Sequence, residues 1–410
     1  MNRTPRIGWV LCGLLFVATA LSFLDRQVLS VLAPVLTAEF GMSNAVYSRV
    51  VFAFVLSYTI MFSVGGRLMD RLGVPLGMAF ALGVWSAASA AHALAAGALG
   101  LGIARFFLGF GEGACFPAAT KGATEWFPLE KRALAIGIAN GGSAFGAVLA
   151  PPLTAWVAGR FGWRGAFLAT GALGLTWLAA WVISLRAARG SLSGGYSARG
   201  RSVPLRQLLV RRQLWHVLAA RFFFDPVFYF YMFWIPQYLA RERGFSLDEI
   251  GSRFWIPFLA LGVSNIGSGR LSDILVRRGW APRRARSTLL GIAAFLTPVS
   301  WLAVLAPTPG WAIGLMSGLM LAHGLWISNF LAFLSDEFPS QAIATVTGLS
   351  GTAGGIAGML SSLAVGAVVD RYSFVPVFAV SGVLYPLALI ILLSGGGSRS
   401  PWPAVSESNP

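Results

Sequence analysis

Apolar residues in this chain come in runs of about twenty, the length that carries a helix across the ~30 Å hydrocarbon core of a bilayer. Short polar or Gly/Pro-rich intervals separate the runs. Read against those breakers, the pattern predicts helices at 8–36, 46–66, 76–96, 98–121, 132–158, 164–186, 213–240, 248–270, 287–306, 310–334, 343–369 and 373–394. The longest polar interval, 187–212, is Gly/Ser-rich, carries Arg189, Arg199, Arg201, Arg206, Arg211 and Arg212, and divides the helices six and six. The expected fold class is an all-α membrane protein with twelve transmembrane helices in two six-helix halves. Residues 1–186 form the N-terminal bundle, 187–212 a basic cytoplasmic linker, and 213–394 the C-terminal bundle. The Gly/Ser/Pro tail 395–410 is expected to be disordered in the cytoplasm. Arg3, Arg6 and Ala18-Thr19-Ala20 have the layout of a cleavable signal peptide. The apolar run continues past that point, which favours a retained first span.

Composition narrows the class. Of 410 residues, 56% are hydrophobic and 11% charged, with a mean hydropathy of +0.71. A soluble domain carries roughly 25% charged residues, so this chain lacks the polar material to cover a water-facing surface. Disordered, collagen-like and coiled-coil chains are excluded by the same arithmetic. The net charge of +16 and pI near 11.2 raise nucleic acid as an alternative partner. Against it, the basic residues recur in the gaps between apolar runs and form no patch with interleaved aromatics. The positive-inside rule accounts for them better. With the N-terminus inside, cytoplasmic segments hold 21 of the 31 Lys+Arg, external segments seven, and the spans three. Both termini are thus expected in the cytoplasm of a multi-pass protein of the cell inner (plasma) membrane. Cys12 and Cys115 lie inside apolar runs, and His92, His216 and His323 are scattered singly, so no metal or other cofactor is expected. Without a nucleophile motif or metal set there is no case for an enzyme.

The two halves repeat. Gly66-Arg67-Leu68-Met69-Asp70 reappears as Gly269-Arg270-Leu271-Ser272-Asp273, each after the second helix of its half. Phe127-Pro128, Gly137, Arg160, Phe167 and Gly171 recur at constant offset as Phe338-Pro339, Gly348, Arg371, Phe378 and Gly382. These are parallel repeats, an architecture of secondary transporters.

Several segments carry a family resemblance. Gly66 to Gly73 (GRLMDRLG), with Asp70 and Arg71, resembles the loop motif after helix 2 of the major facilitator superfamily. It departs at Val74-Pro75, where the family has basic residues, which implies a weaker cytoplasmic lock. Phe23 to Pro34 (FLDRQVLSVLAP) resembles helix 1 of the anion:cation symporter branch, Arg105 to Ala118 its helix 4, and Phe161 to Phe167 its helix 5–6 junction. Arg221 to Leu239 is similar to helix 7 of the hexuronate transporters in that branch. The resemblance implies that Asp25 and Glu112 couple protons and that Arg26 holds the substrate anion.

Independently of family, six ionisable residues fall within predicted spans: Asp25, Arg26, Arg105, Glu112, Arg221 and Asp225. An unpaired charge at the bilayer centre costs about 2.5–3.5 kcal/mol even on the mild insertion scale, so each is expected to face protein or a watery cavity. Arg105 and Glu112 are two turns apart on one face of helix 4, with Gly109, Gly111 and Gly113 nearby to admit a neighbouring helix. They read either as a structural ion pair or as a proton switch. Burial raises a carboxylate's proton affinity and a nearby guanidinium lowers it, so a change of pairing loads or releases a proton. Arg26 lies mid-span and offers a planar fork for a carboxylate. Arg221 and Asp225, one turn apart, either neutralise each other or leave Arg221 as a second cation for substrate. Tyr58, Asn140, Ser143 and Asn329 are uncommon polar groups in apolar spans, and Trp234 leads an aromatic set with Phe228, Tyr229 and Tyr231. Each reads either as a helix contact or as a sugar contact.

The resulting expectation is a proton-coupled symporter that imports an organic monoanion, foremost a hexuronate, by alternating access. Asp25 and Glu112 take up protons, the anion docks on Arg26, with Tyr58, Arg105, Asn140, Ser143, Arg221, Trp234 and Asn329 as the other expected substrate-binding residues, and the carboxylates re-pair with Arg105 on release. The alternatives are another organic anion (an aldonate, glucarate, tartrate or other dicarboxylate) and an uncoupled facilitator or exchanger. Expected partners are a small organic anion, protons and the lipid bilayer, with no nucleic acid, around a monomer.

Overall fold

A computed structural model describes residues 6–188 and 203–395. Most of the predicted linker and all but the first residue of the predicted tail lie outside the described residues. Those described form helices joined by short turns, with no strand among them. The elements are α1 (Arg6–Val31), α2 (Ala33–Glu39), α3 (Asn44–Ala91), α4 (Ala98–Glu112), α5 (Cys115–Trp126), α6 (Leu129–Ala187) and α7 (Leu205–Leu209). They continue with α8 (Arg212–Arg243), α9 (Leu247–Arg253), α10 (Trp255–Arg277), α11 (Pro282–Leu296), α12 (Val299–Leu305), α13 (Pro309–Glu337), α14 (Ser340–Arg371) and α15 (Val375–Ser394).

The segmentation differs from the expected one at its joints. α3 and α6 each merge two expected helices, and each contains one non-helical residue, Gly73 (φ 73°, ψ 156°) and Gly162 (φ 70°, ψ 172°). Positive φ at those joints is what glycine tolerates and other residues resist. The intervening polar stretch Arg67–Leu72 stays helical because its Arg, Leu and Met are good helix formers. Helix 4 is split after Glu112 into α4 and α5. α8 keeps Pro226 and Pro236 inside a 32-residue helix and ends at Gly244 in the left-handed conformation, a common helix C-cap.

Lipid solvates the rim of the bundle. Leu76, Ile183, Ile266 and Phe295 are among many large apolar side chains left open on the outside, which in an aqueous protein would be an aggregation surface. Nine stretches of the described residues are long and apolar enough to cross a membrane, and those at Asn44–Leu94 and Leu134–Ala187 are 51 and 54 residues long. At 1.5 Å per residue each of these two exceeds twice the bilayer core.

Inside, backbones approach at small residues. A methyl group on Gly109 or Gly113 would run into the Phe54 and Tyr58 carbonyls of α3, and one on Gly142 or Gly146 into the Phe16 and Ala20 carbonyls of α1. Such close seams fix α4 against α3 and α6 against α1. The two halves are stitched by Ser30 Oγ donating to the Met232 carbonyl (2.6 Å) and Tyr47 Oη donating to the Phe233 carbonyl (2.9 Å). Arg26 lies one helical turn before Ser30 on α1, close to this join.

Candidate functional site

Adjacent residues on a helix diverge by about 100°, and Asp25 and Arg26 accordingly serve different neighbours. Arg26 Nε donates to Glu112 Oε2 at 2.7 Å, with side-chain exposures of 6% and 0%. Ser22, one turn earlier on α1, donates to the same carboxylate oxygen (3.0 Å) and accepts from Arg26 Nη2 (3.2 Å). The guanidinium lies over three rings, at 4.2 Å from the centroid of Tyr58, 4.7 Å from Phe23 and 5.5 Å from Phe54. A cation on aromatic faces is held without a second anion, which leaves its remaining donors for another acceptor.

Asp25 points the other way. Ser89 Oγ of α3 donates to Asp25 Oδ1 (2.8 Å), and Thr170 of α6 bonds Ser89 at 2.8 Å. Arg105 is fully buried and binds main chain: Nη1 reaches the Asp25 carbonyl at 3.4 Å and Nη2 the Arg26 carbonyl at 3.2 Å. The expected pairing of Arg105 with Glu112 is thus replaced by one of Arg26 with Glu112. Seven residues set Arg105 and Glu112 about 10 Å apart along α4, whereas Arg26 of α1 reaches the Glu112 carboxylate directly. Asp25 Oδ2, Glu112 Oε1 and Arg105 Nε have no hydrogen-bond partner among the described residues. Buried polar atoms are nearly always satisfied, so three neighbouring charged groups with unspent capacity single this cluster out as the candidate site.

In the C-terminal half, Arg221 Nε donates to Asp225 Oδ2 (3.0 Å) and Arg221 Nη1 to Ser350 Oγ of α14 (3.0 Å). Of the two readings open from the sequence, the paired one describes this geometry. Gly354 abuts the Asp225 carboxylate, with no room for a methyl group. Asn329 is buried, bonds the Leu325 carbonyl one turn back on its own helix, and leaves Oδ1 unpartnered among the described residues. Trp234 is buried edge-on to Tyr47 (5.2 Å) with Nε1 likewise unpartnered. Ser143 donates to the Asn140 carbonyl, and Asn140 Oδ1 has no partner among the described residues.

The loop-motif residues lie apart from this centre. Asp70 accepts from Lys121 (2.6 Å), which also donates to the Met69 carbonyl. Gly66 has nothing near a would-be side chain, and Arg71 is exposed. Asp273 faces Arg286 at 3.6 Å, and that arginine also meets Asp336.

Sequence reading missed Ser22, Phe54, Ser89, Thr170 and Ser350. Ser22 carried a usable signal, since it precedes Arg26 by one helical turn. Ser89, Thr170 and Ser350 are ordinary small polar residues, and only the packing of α3, α6 and α14 gives them partners.

Comparison with known proteins places this geometry. A hexuronate transporter of Escherichia coli (strain K12) is 31% identical over 410 aligned positions, covering 96% of this chain and 94% of that protein. A galacturonate transporter of Dickeya chrysanthemi is 34% identical, covering 63% of this chain and 79% of that protein. The crystal structure of a bacterial homolog of the human lysosomal transporter Spinster, inward-facing and occupied, superposes with a TM-score of 0.73 at 20% identity, over 96% of each chain. The chain is therefore a multi-pass membrane transporter of organic anions rather than an enzyme. The model of the Major Facilitator Superfamily matches residues 15–362, and the protein belongs to that superfamily.

Proposed function

We propose that the protein is a proton-coupled symporter that imports a hexuronate, glucuronate or galacturonate, by alternating access. The observation that carries the reading is the Arg26–Glu112 pair, buried and one helical turn from the Ser30 contact between halves, with one Glu112 oxygen unspent. Two close relatives named for hexuronate and galacturonate supply the substrate class. A proton on Glu112 weakens its hold on Arg26, whose planar fork then takes the substrate carboxylate. Asp25 binds a second proton beside Ser89. Tyr58, Asn140, Ser143, Trp234 and Asn329 offer hydroxyl, amide and ring contacts to the sugar, and Arg221 adds a second cation once it leaves Asp225. Arg105 acts by holding the main chain of α1 at Asp25 and Arg26. On the inward side Glu112 deprotonates and recaptures Arg26, which expels the anion. With two protons per monoanion the cycle carries one net charge inward, and each 100 mV of potential supplies about 2.3 kcal/mol.

The reading places a monomer in the inner membrane, both termini cytoplasmic, the loop residues Gly66, Asp70, Arg71 and Asp273 on the cytoplasmic side, and residues 187–212 as the link between halves. It counts twelve crossings: the nine apolar stretches, two of them doubled at Gly73 and Gly162, and α10. The test is uptake by the purified protein in liposomes with an acid exterior. Accumulation of glucuronate or galacturonate that collapses with a protonophore supports the proposal. Uptake indifferent to external pH makes the protein a facilitator, and failure to bind either sugar acid in a thermal-shift panel assigns a different anion.

A further inference from the structure

α14 ends in Gly366-Ala367-Val368-Val369-Asp370-Arg371, the same Gly-to-Asp-Arg spacing as Gly66 to Arg71 within α3. Unlike Asp70, which is spent on Lys121 of its own half, Asp370 crosses between halves. Its Oδ1 accepts from the Asn44 amide N–H (3.0 Å) and from Asn44 Nδ2 (2.7 Å), and its Oδ2 accepts from the Ala45 N–H (2.7 Å). Arg241 at the end of α8 donates to Asn44 Oδ1 (3.1 Å), so a second element of the C-terminal half grips the same residue. The first amides of a helix have no partner within it and carry the positive end of its dipole. Ser43 caps Val46 from within the chain, while the two amides before it are left to Asp370. Four residues along, Gly366 packs against Ser48 and the Asn44 carbonyl, so the carboxylate seals a seam with no space beneath it.

We propose that Asp370 is a state-specific latch: its carboxylate caps the first turn of α3 only while the halves are closed at this end, and it must release both amides before the central site opens there. The positively charged Arg241 and the neutral Asn44 and Ala45 amides are the groups facing it, and each favours the ionised, closed form. The inference rests on the alternating access proposed above but on no choice of substrate.

The experiment uses the purified full-length protein in detergent with Ser48→Cys as the reporter, since Ser48 is buried beneath the latch. Cys12 and Cys115 are buried, and the protein without Ser48→Cys gives their background. Alkylation by N-ethylmaleimide is timed with and without Asp370→Ala, Asp370→Asn, Asn44→Ala and Arg241→Gln. Loss of charge-assisted bonds shifts a two-state equilibrium, so Asp370→Ala should speed labelling at least about fivefold, with smaller gains for the other three. Unchanged labelling in folded Asp370→Ala and Asp370→Asn overturns the latch. If neither folds, unchanged labelling in both Asn44→Ala and Arg241→Gln overturns it. Labelling needs neither substrate nor gradient, so this outcome and that of the uptake assay fail separately.

Discussion

Arg26 and Glu112 stand 86 residues apart in the chain and meet at 2.7 Å with almost no exposure. Removing one member of a buried pair leaves the other uncompensated, which typically costs about 3–5 kcal/mol. Arg26→Ala should therefore abolish both substrate binding and uptake and lower thermal stability. Pairing it with Glu112→Gln should recover stability without recovering transport. Thermal unfolding with and without sugar acid separates the two effects, and intact binding by Arg26→Ala removes this residue from the site.

Glu112→Gln keeps the shape of the side chain and loses its proton. In the wild type, acidifying the exterior should load Glu112 and raise accumulation. In the variant, accumulation should no longer rise with external acidity, while counterflow exchange persists. Side-by-side measurement of pH-driven uptake and counterflow decides this, and a variant that still concentrates substrate under a pH gradient excludes the coupling role.

Arg105 reaches two carbonyls of α1 with two separate nitrogens of one planar guanidinium, a fixed fork that the single nitrogen of a lysine does not reproduce. Arg105→Lys should cost about 1.5–3 kcal/mol of stability, the range for hydrogen bonds to a charged group. Its maximal uptake should fall while apparent affinity stays within about threefold, the pattern of a lost positioning contact rather than a lost ligand contact. Uptake kinetics beside a melting curve check it; a loss of affinity alone would make Arg105 a ligand residue.

For Arg221 and Asp225, a double-mutant cycle with Arg221→Ala and Asp225→Asn should give a coupling of about 1 kcal/mol or more in thermal unfolding, as expected for contacting partners. Arg221→Lys should retain part of the substrate affinity. Wild-type affinity in Arg221→Ala would confine the residue to the structural pair.

How far the sequence reached can be judged from these same residues. The all-helical membrane fold and the burial of the charges follow from composition and spacing, because the bilayer leaves helices as the only cheap way to bury this chain's backbone. Which charge meets which did not follow. Arg105 and Glu112 share a face of one helix, so spacing pairs them, yet tertiary packing sets the Glu112 carboxylate against Arg26 on α1. Ser89 and Thr170 were silent for a similar reason: a hydroxyl becomes informative only when packing sets it against Asp25. The turns at Gly73 and Gly162 were placed correctly as breaks between helices but were expected to be longer loops, since polar Arg67 and Asp70 lowered the local hydropathy without ending the helix.

The glycine seam between α1 and α6 has a mechanical consequence. With carbonyls of Phe16 and Ala20 lying directly against Gly142 and Gly146, there is no compliant layer to absorb a shear. A tilt of α6 is transmitted undamped to Asp25 and Arg26 less than two turns farther along α1. In the proposed cycle Arg26 is the tip of a stiff lever whose fulcrum is made of bare backbone.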